Sequence, residues 1–232
     1  MKKVFLTLLA LTMLFSGSQV CALTIDVYNA SDTGSISNWI SSKGGHVEVL
    51  EDFEDVTTDW YQALNTSVGT FTAGGNPGSG ATSYNDNNNP DSNQPYFSVR
   101  DTAWYGRGNT TVGGSNYLDS GDITELHLDL IPSLTNLFFY LQDPSDVNAT
   151  TTVGSSLTTV LFNNKPNGSL WFVGISSSTA LDSVAWTTSN SNDGYGVDDF
   201  STVSPVPEPA TMVLLGTGLI GLAGLRRRFK KI

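Results

Sequence analysis

Carboxylates are the groups in this chain whose number and spacing could do chemistry. Glu51, Asp52, Glu54 and Asp55 stand together early in the central region, and Asp198 and Asp199 stand near its end. Ca2+ takes roughly six to eight hard oxygen ligands, which acidic side chains from two segments can share. A domain whose first and last strands are neighbours would let Glu54 and Asp198 supply oxygens to one such ion and staple the ends of the fold. Glu54 leads its cluster because it follows Phe53 directly, so an inward Phe53 turns Glu54 to the other face or rim. The alternative is plain solvated charge, since no contiguous loop fixes the ligands. Neither 86–93 nor 190–199 aligns with the aspartate, glycine and terminal glutamate positions of an EF-hand.

Other reactive groups are sparse. His46, His127 and the single cysteine, Cys21, are too few for a structural zinc site. No Gly-x-Ser-x-Gly elbow accompanies either histidine, so both read as surface or strand residues. A secreted carbohydrate-active enzyme working with two carboxylates is the catalytic alternative, but 22 acidic residues leave the pair unspecified. The leading reading is therefore a non-catalytic protein. Trp60, Tyr61, Trp104, Tyr105, Trp171, Trp186 and Tyr195 offer flat faces to sugar rings, although most large aromatics in a β-domain are core. Trp104-Tyr105 is the first choice for an exposed pair, because strand neighbours point to opposite faces and the flanking residues are polar.

The elements that must position these groups lie between two ends of different chemistry. Seven of the 11 basic residues are Lys2, Lys3, Arg226, Arg227, Arg228, Lys230 and Lys231. Between 23 and 209 only Lys43, Arg100, Arg107 and Lys165 face all 22 acidic residues, a formal charge of −18 within a total of −11. Nucleic acid is thereby disfavoured as a partner, since phosphate neutralisation needs a basic face. Self-repulsion for solubility, hydrated surfaces and divalent cations all fit.

Residues 1–22 read as a signal peptide: Lys2 and Lys3, an apolar stretch over 4–15, and small residues around a cleavage point after Ala22. This predicts passage through the Sec translocon and removal by signal peptidase. Cys21 leaves with that peptide, so no disulfide supports the mature domain. A lipid on Cys21 is disfavoured, because Ser18-Gln19-Val20 is not a lipoprotein box.

Residues 204–232 hold three distinct parts in order: Pro207-Glu208-Pro209, an apolar run over 212–225, and Arg226-Arg227-Arg228-Phe229-Lys230-Lys231. The prolines keep the first part extended, ready for a peptide-cleaving site. Residues 210–225 make about 24 Å of helix, short of the ~20 residues preferred for a span, which suits a temporary anchor. The basic flank holds the C-terminus in the cytoplasm and leaves the acidic domain outside. Hydropathy says that the segment spans, not that it is cut, so a permanent anchor is the alternative.

The central region, 23–203, is rich in Ser, Thr, Asn, Gly and Asp and breaks into short alternating runs, which predicts an all-β sandwich or barrel. Strands are expected over 23–27, 46–53, 125–130, 137–141, 158–162, 170–175, 183–186 and 197–203. One helix is expected over 33–42, where Ile36, Trp39 and Ile40 share a face behind the cap Asp32. The polar stretch 74–95 reads as a long exposed loop.

From Val206 to Lys231 the tail resembles the PEP-CTERM sorting domain, with the Pro-Glu-Pro, the Gly-rich apolar helix and the Arg cluster all in place. The resemblance implies that an exosortase removes the helix near Pro207, Glu208 and Pro209. It also implies a Gram-negative-type envelope, transient residence in the inner membrane, and delivery to a surface or matrix containing extracellular polysaccharide. Gly106-Arg107-Gly108-Asn109-Thr110-Thr111, the segment from Asn116 to Asp122, and the segment from Asp193 to Phe200 further resemble a group of such proteins with a jelly-roll-like β-sandwich. In that resemblance Asp198 is the aspartate of the terminal strand.

Replacing Pro207, Glu208 and Pro209 with alanines is expected to leave export intact and trap the precursor in the inner membrane. Unchanged processing and release of that variant, followed by fractionation and mass spectrometry of both termini, would contradict recognition of the motif.

Overall fold

Alternation explains the strand over 125–130: Leu126 and Leu128 are buried while His127 and Asp129 are exposed, as a strand with one wet face requires. The computed structural model describes residues 22–77, 94–112, 114–144, 148–154, 158–162 and 166–205. Among these, the elements in chain order are β1 (Leu23–Asn29), α1 (Thr33–Ser42), β2 (Gly45–Glu51), β3 (Asp59–Tyr61), β4 (Ala63–Asn65), β5 (Gly69–Gly74) and β6 (Phe97–Arg100), followed by β7 (Tyr117–Asp119), β8 (Glu125–Leu130), β9 (Asn136–Gln142), β10 (Thr150–Val153), β11 (Thr158–Leu161), β12 (Leu170–Ser177), β13 (Ser183–Thr187) and β14 (Gly196–Pro205). Each run expected from alternation contains a strand, and the expected helix is present; the run over 46–53, however, ends at Glu51, and Phe53 has φ of 60° in the turn that follows, so strand alternation does not orient Glu54. The signal peptide, the polar stretch over 78–93 and the sorting tail after 205 lie outside the described residues.

The strands form an all-β sandwich of two antiparallel sheets. The larger runs β1-β12-β9-β14-β7-β6-β3, with β2 also paired to β14, and the smaller runs β11-β10-β13-β8-β5-β4. Between them Phe200 stacks on Phe139 at 5.1 Å and meets Phe71, Phe53 and Trp186 at 5.4, 6.1 and 6.1 Å. Each of these rings is fully buried, and burial of a side chain of this size stabilises by roughly 1.5–3 kcal/mol. A core of this kind carries the domain without a disulfide.

Helix α1 covers the outer face of the larger sheet. Asp32 caps it by accepting a hydrogen bond from the Ser35 N–H at 3.1 Å. That bond also lowers the Asp32 pKa. Ile36 and Trp39 are its buried residues, and Trp39 packs edge-on against Phe172 and Phe138 at 5.4 and 6.0 Å. The larger sheet is thus covered on both faces over its central strands.

One expectation about strand order is corrected. β1 pairs with β12 and not with β14, so β12 and β9 stand between the first and last strands. β14 holds a central place because Val197, Phe200 and Val203 are all buried, whereas β1 has no fully buried residue and takes the edge. The early strand that does lie beside β14 is β2, with Val47 opposite Val203 and Glu51 opposite Phe200.

Candidate functional site

A four-residue turn displays the most exposed tyrosine of the described residues. Trp104 and Arg107 exchange both backbone hydrogen bonds at 2.9 Å. The residues between them, Tyr105 and Gly106, have φ of 47° and 88°. Positive φ at both central positions defines a type I′ hairpin turn, in which glycine is at ease and an aromatic residue is held only by its surroundings. Tyr105 is 80% exposed.

Beneath Tyr105 lies a tier of stacked groups. The Trp104 ring is 5.8 Å from the Tyr105 ring, and the Arg100 guanidinium sits 3.4 Å over Trp104 and 5.2 Å from Trp60. A planar cation over indole faces is attractive and orients the rings. Of the pair expected to be exposed, Tyr105 is exposed and Trp104 half-buried, but they sit at a turn and not on a strand, so alternation is not what separates them. Trp60, already among the candidate aromatics, comes to this tier because β3 pairs with β6, whereas Arg100, four residues before Trp104 at the end of β6, is the member that the sequence did not single out.

Arg107 anchors the turn in the interior. Its side chain is 2% exposed, its Nε donates to Asp119 at 2.8 Å, and Asp193 and Asp122 approach at 3.3 and 3.7 Å. Burial disfavours its charge, but the fields of Asp119 and Asp122 and the bond to Asp119 prevail and raise its pKa. Gly194 allows the close approach: a Cβ there would lie 2.6 Å from Ser120 Oγ, 2.7 Å from Asp122 and 3.0 Å from Arg107. The Tyr195 N–H donates to Ser120 Oγ at 3.0 Å. The three segments that carried the jelly-roll resemblance therefore meet around one guanidinium.

Glu54 and Asp198 are brought to one connection, 108–116, and grip different parts of it. Glu54 Oε1 accepts from the N–H groups of Ser115 and Asn116 at 2.7 and 2.8 Å, and Asn116 Nδ2 donates back to the Phe53 carbonyl at 2.9 Å. Asp198 Oδ2 accepts from the N–H and hydroxyl of Thr110 at 2.7 and 2.9 Å, and its Oδ1 accepts from the Asp199 N–H at 2.8 Å. Their donor sets fit a hydrogen-bonded strap over this connection, and among the described residues no three Asp, Glu, His or Cys side chains are grouped to hold a metal ion. A cleft of about 500 Å³ opens beside Glu51, Asp52 and Asp55. The Glu51 oxygens there accept from the N–H groups of Phe53 and Ser67. His127 lies on the exposed face 3.3 Å from Glu125, and His46 is exposed at the start of β2.

In comparisons with known proteins, residues 205–228 match the PEP-CTERM protein-sorting motif. No curated protein matches the chain. The motif indicates exosortase-dependent sorting of an exported surface protein, with the exosortase as processing partner.

Burial pushes Asp198 up to about 7, against the hydrogen bonds from Thr110 and the Asp199 N–H that pull it down. Asp199 is also raised, by burial and by the nearby charge of Asp52. An aspartate of the unfolded chain titrates near ~3.9, so between about pH 4 and pH 7 the folded protein binds more protons than the unfolded one, and stability falls as pH rises. Asp198→Asn cannot ionise, so the melting-temperature advantage of the wild type over this variant should shrink between about pH 5 and about pH 8. An advantage that stays equal at both pH values would contradict the raised Asp198 pKa.

Proposed function

We propose that this is a non-catalytic, exosortase-processed protein of the cell surface or extracellular matrix whose Tyr105 tip contacts extracellular polysaccharide. One observation carries the polysaccharide reading: a tyrosine 80% exposed, fixed in a positive-φ turn, and seated on a tier of indole rings around Arg100. Tyrosine supplies a large, rigid, amphipathic contact at low conformational entropy cost. Stacking on a sugar ring uses its face, and the phenol can exchange hydrogen bonds with sugar hydroxyls. The formal charge of −18 between 23 and 209 disfavours a polyanion, so a neutral polymer is the fitting class.

The sorting part of the reading has its own order of events. After Sec export and cleavage at Ala22, the tail holds the precursor in the inner membrane, and the exosortase cuts near Pro207-Glu208-Pro209. The sandwich is read as jelly-roll-like, because from β7 onwards the chain passes repeatedly from one sheet to the other before closing on β14.

Co-sedimentation with extracellular polysaccharide purified from the producing cells tests the contact. Tyr105→Asn suits the positive φ and removes the ring, so it should weaken binding roughly tenfold, about 1.4 kcal/mol, with little change in melting temperature. Binding unchanged in this variant would remove the tip from the account. Shortening of the polymer by the wild-type protein would favour the carbohydrate-active enzyme instead.

A further inference from the structure

β2 is an edge strand with one side unused. Beside it, β14 turns the backbone of Val203 towards Asn136 of β9, whose amide donates to the Val203 carbonyl at 2.9 Å and accepts from its N–H at 2.7 Å. Thr202 and Ser204, one residue to either side, therefore point their backbone groups the other way, at Glu48 and His46 of β2. Alternation along β2 then aims the N–H and C=O of Val47 and Val49 outwards. Among the described residues, no strand and no side chain bonds to them.

Sheet edges are normally short, charged, bulged or covered, because their free backbone groups invite another chain. β3 and β4 have three residues and β11 has four, and β1 lies against β11. β2 has seven residues without Lys or Pro, and all of 45–49 is exposed. Val47 and Val49 are 38% and 53% exposed. They share the face of Val203, whereas His46 and Glu48 take the other.

The residues of the strand define what fits that edge. Set antiparallel to itself about Val47, the run Gly45-His46-Val47-Glu48-Val49 places Val47 opposite Val47, His46 opposite Glu48, and Val49 opposite Gly45, where a Cβ would meet open space. His46 and Glu48 then meet twice, once on each side of the two-fold axis, as imidazole donor and carboxylate acceptor. An axis at Glu48 would oppose like carboxylates, and an axis at Val49 would press the second strand on Glu51, which is buried. The charged neighbours agree with the Val47 register. Lys43, before one strand, stands at the end where the cleft lined by Asp52 and Asp55 opens beside Val49 of the other.

We propose that β2 pairs with β2 of a second copy of this chain, antiparallel about Val47, joining two larger sheets edge to edge in a closed two-fold dimer. The contact involves about five residues a side, well below the ~20–30 of a standard interface, so it is reversible. Each copy carries a formal charge of −18 between 23 and 209, and screening of that repulsion by salt should tighten the dimer.

The test uses the mature protein from the producing cells, with Cys21 removed along with the signal peptide. Sedimentation over a concentration series should show monomer and dimer in equilibrium, and His46→Glu should weaken the dimer roughly tenfold, since like charges then meet twice. Exchange of the two residues, His46→Glu with Glu48→His, keeps the wild-type charge and should restore association. Val47→Cys should give a disulfide-linked dimer on mild oxidation, because facing Cα atoms of a bonded pair lie about 5.5 Å apart. Val49→Cys should not, since its two copies stand four residues apart along the ladder, about 13 Å. A wild type that stays monomeric with a Val47→Cys variant that stays unlinked would overturn the dimer. A linked Val49→Cys variant, or an exchange variant no better than His46→Glu, would overturn the register.

Discussion

The candidate site depends on one buried guanidinium. Arg107 and Asp119 are 2% and 1% exposed and lie 2.8 Å apart, so both charges have lost their water. Desolvation of such a pair costs several kcal/mol per ion, and only close geometry with further hydrogen bonds offsets it. Asp122 and Asp193 supply added negative potential, and the planar fork of arginine can address several carboxylates where a lysine would present a single point charge. Three segments distant in sequence, the 104–107 turn, the turn after β7 and the approach to β14, consequently have one mutual arrangement. Tyr105 is exposed because its neighbour two residues on is so firmly buried.

From this anchor the molecule divides into two working ends. The aromatic core around Phe200 and the covering helix α1 make the larger sheet a stiff spacer, covered on both faces in its middle. One end of that spacer carries Leu23 and Pro205, the outer limits of the first and last strands; the other carries the turn anchored by Arg107.

Much of the fold was legible because alternation is a local signal. In β8 the leucines and their polar neighbours announce both the strand and its buried face, and Asp32 with Ile36 and Trp39 announces the helix. β3, β4 and β7, of three residues each, and β6 and β10, of four, were not legible because they are too short for a period and exist because partner strands complete them; β5 was missed as well, since Phe71 is its one large apolar residue. At the site, polar flanks identified Trp104-Tyr105, but the companions of Arg107 lie 12 and 86 positions away. The available hint was compositional, since Arg107 is one of four basic residues in an acidic domain and stands between two glycines. Sequence also drew Glu54 and Asp198 towards one neighbourhood. It could not show the unpaired backbone N–H groups of the 108–116 connection that their oxygens accept, because donors of that kind belong to the path of the chain and not to its side chains.

The central claim is that the Arg107 cluster holds its three segments as a unit, and equilibrium unfolding of the mature protein with Arg107→Met, Asp119→Asn and the double variant tests it most directly. Each single change should cost about 3–5 kcal/mol, because it leaves a buried charge without its partner. The double variant should cost little more than the worse single, a coupling well beyond the ~0.5 kcal/mol within which independent sites add. Small losses that simply add would contradict the account and make Arg107 one contact among many.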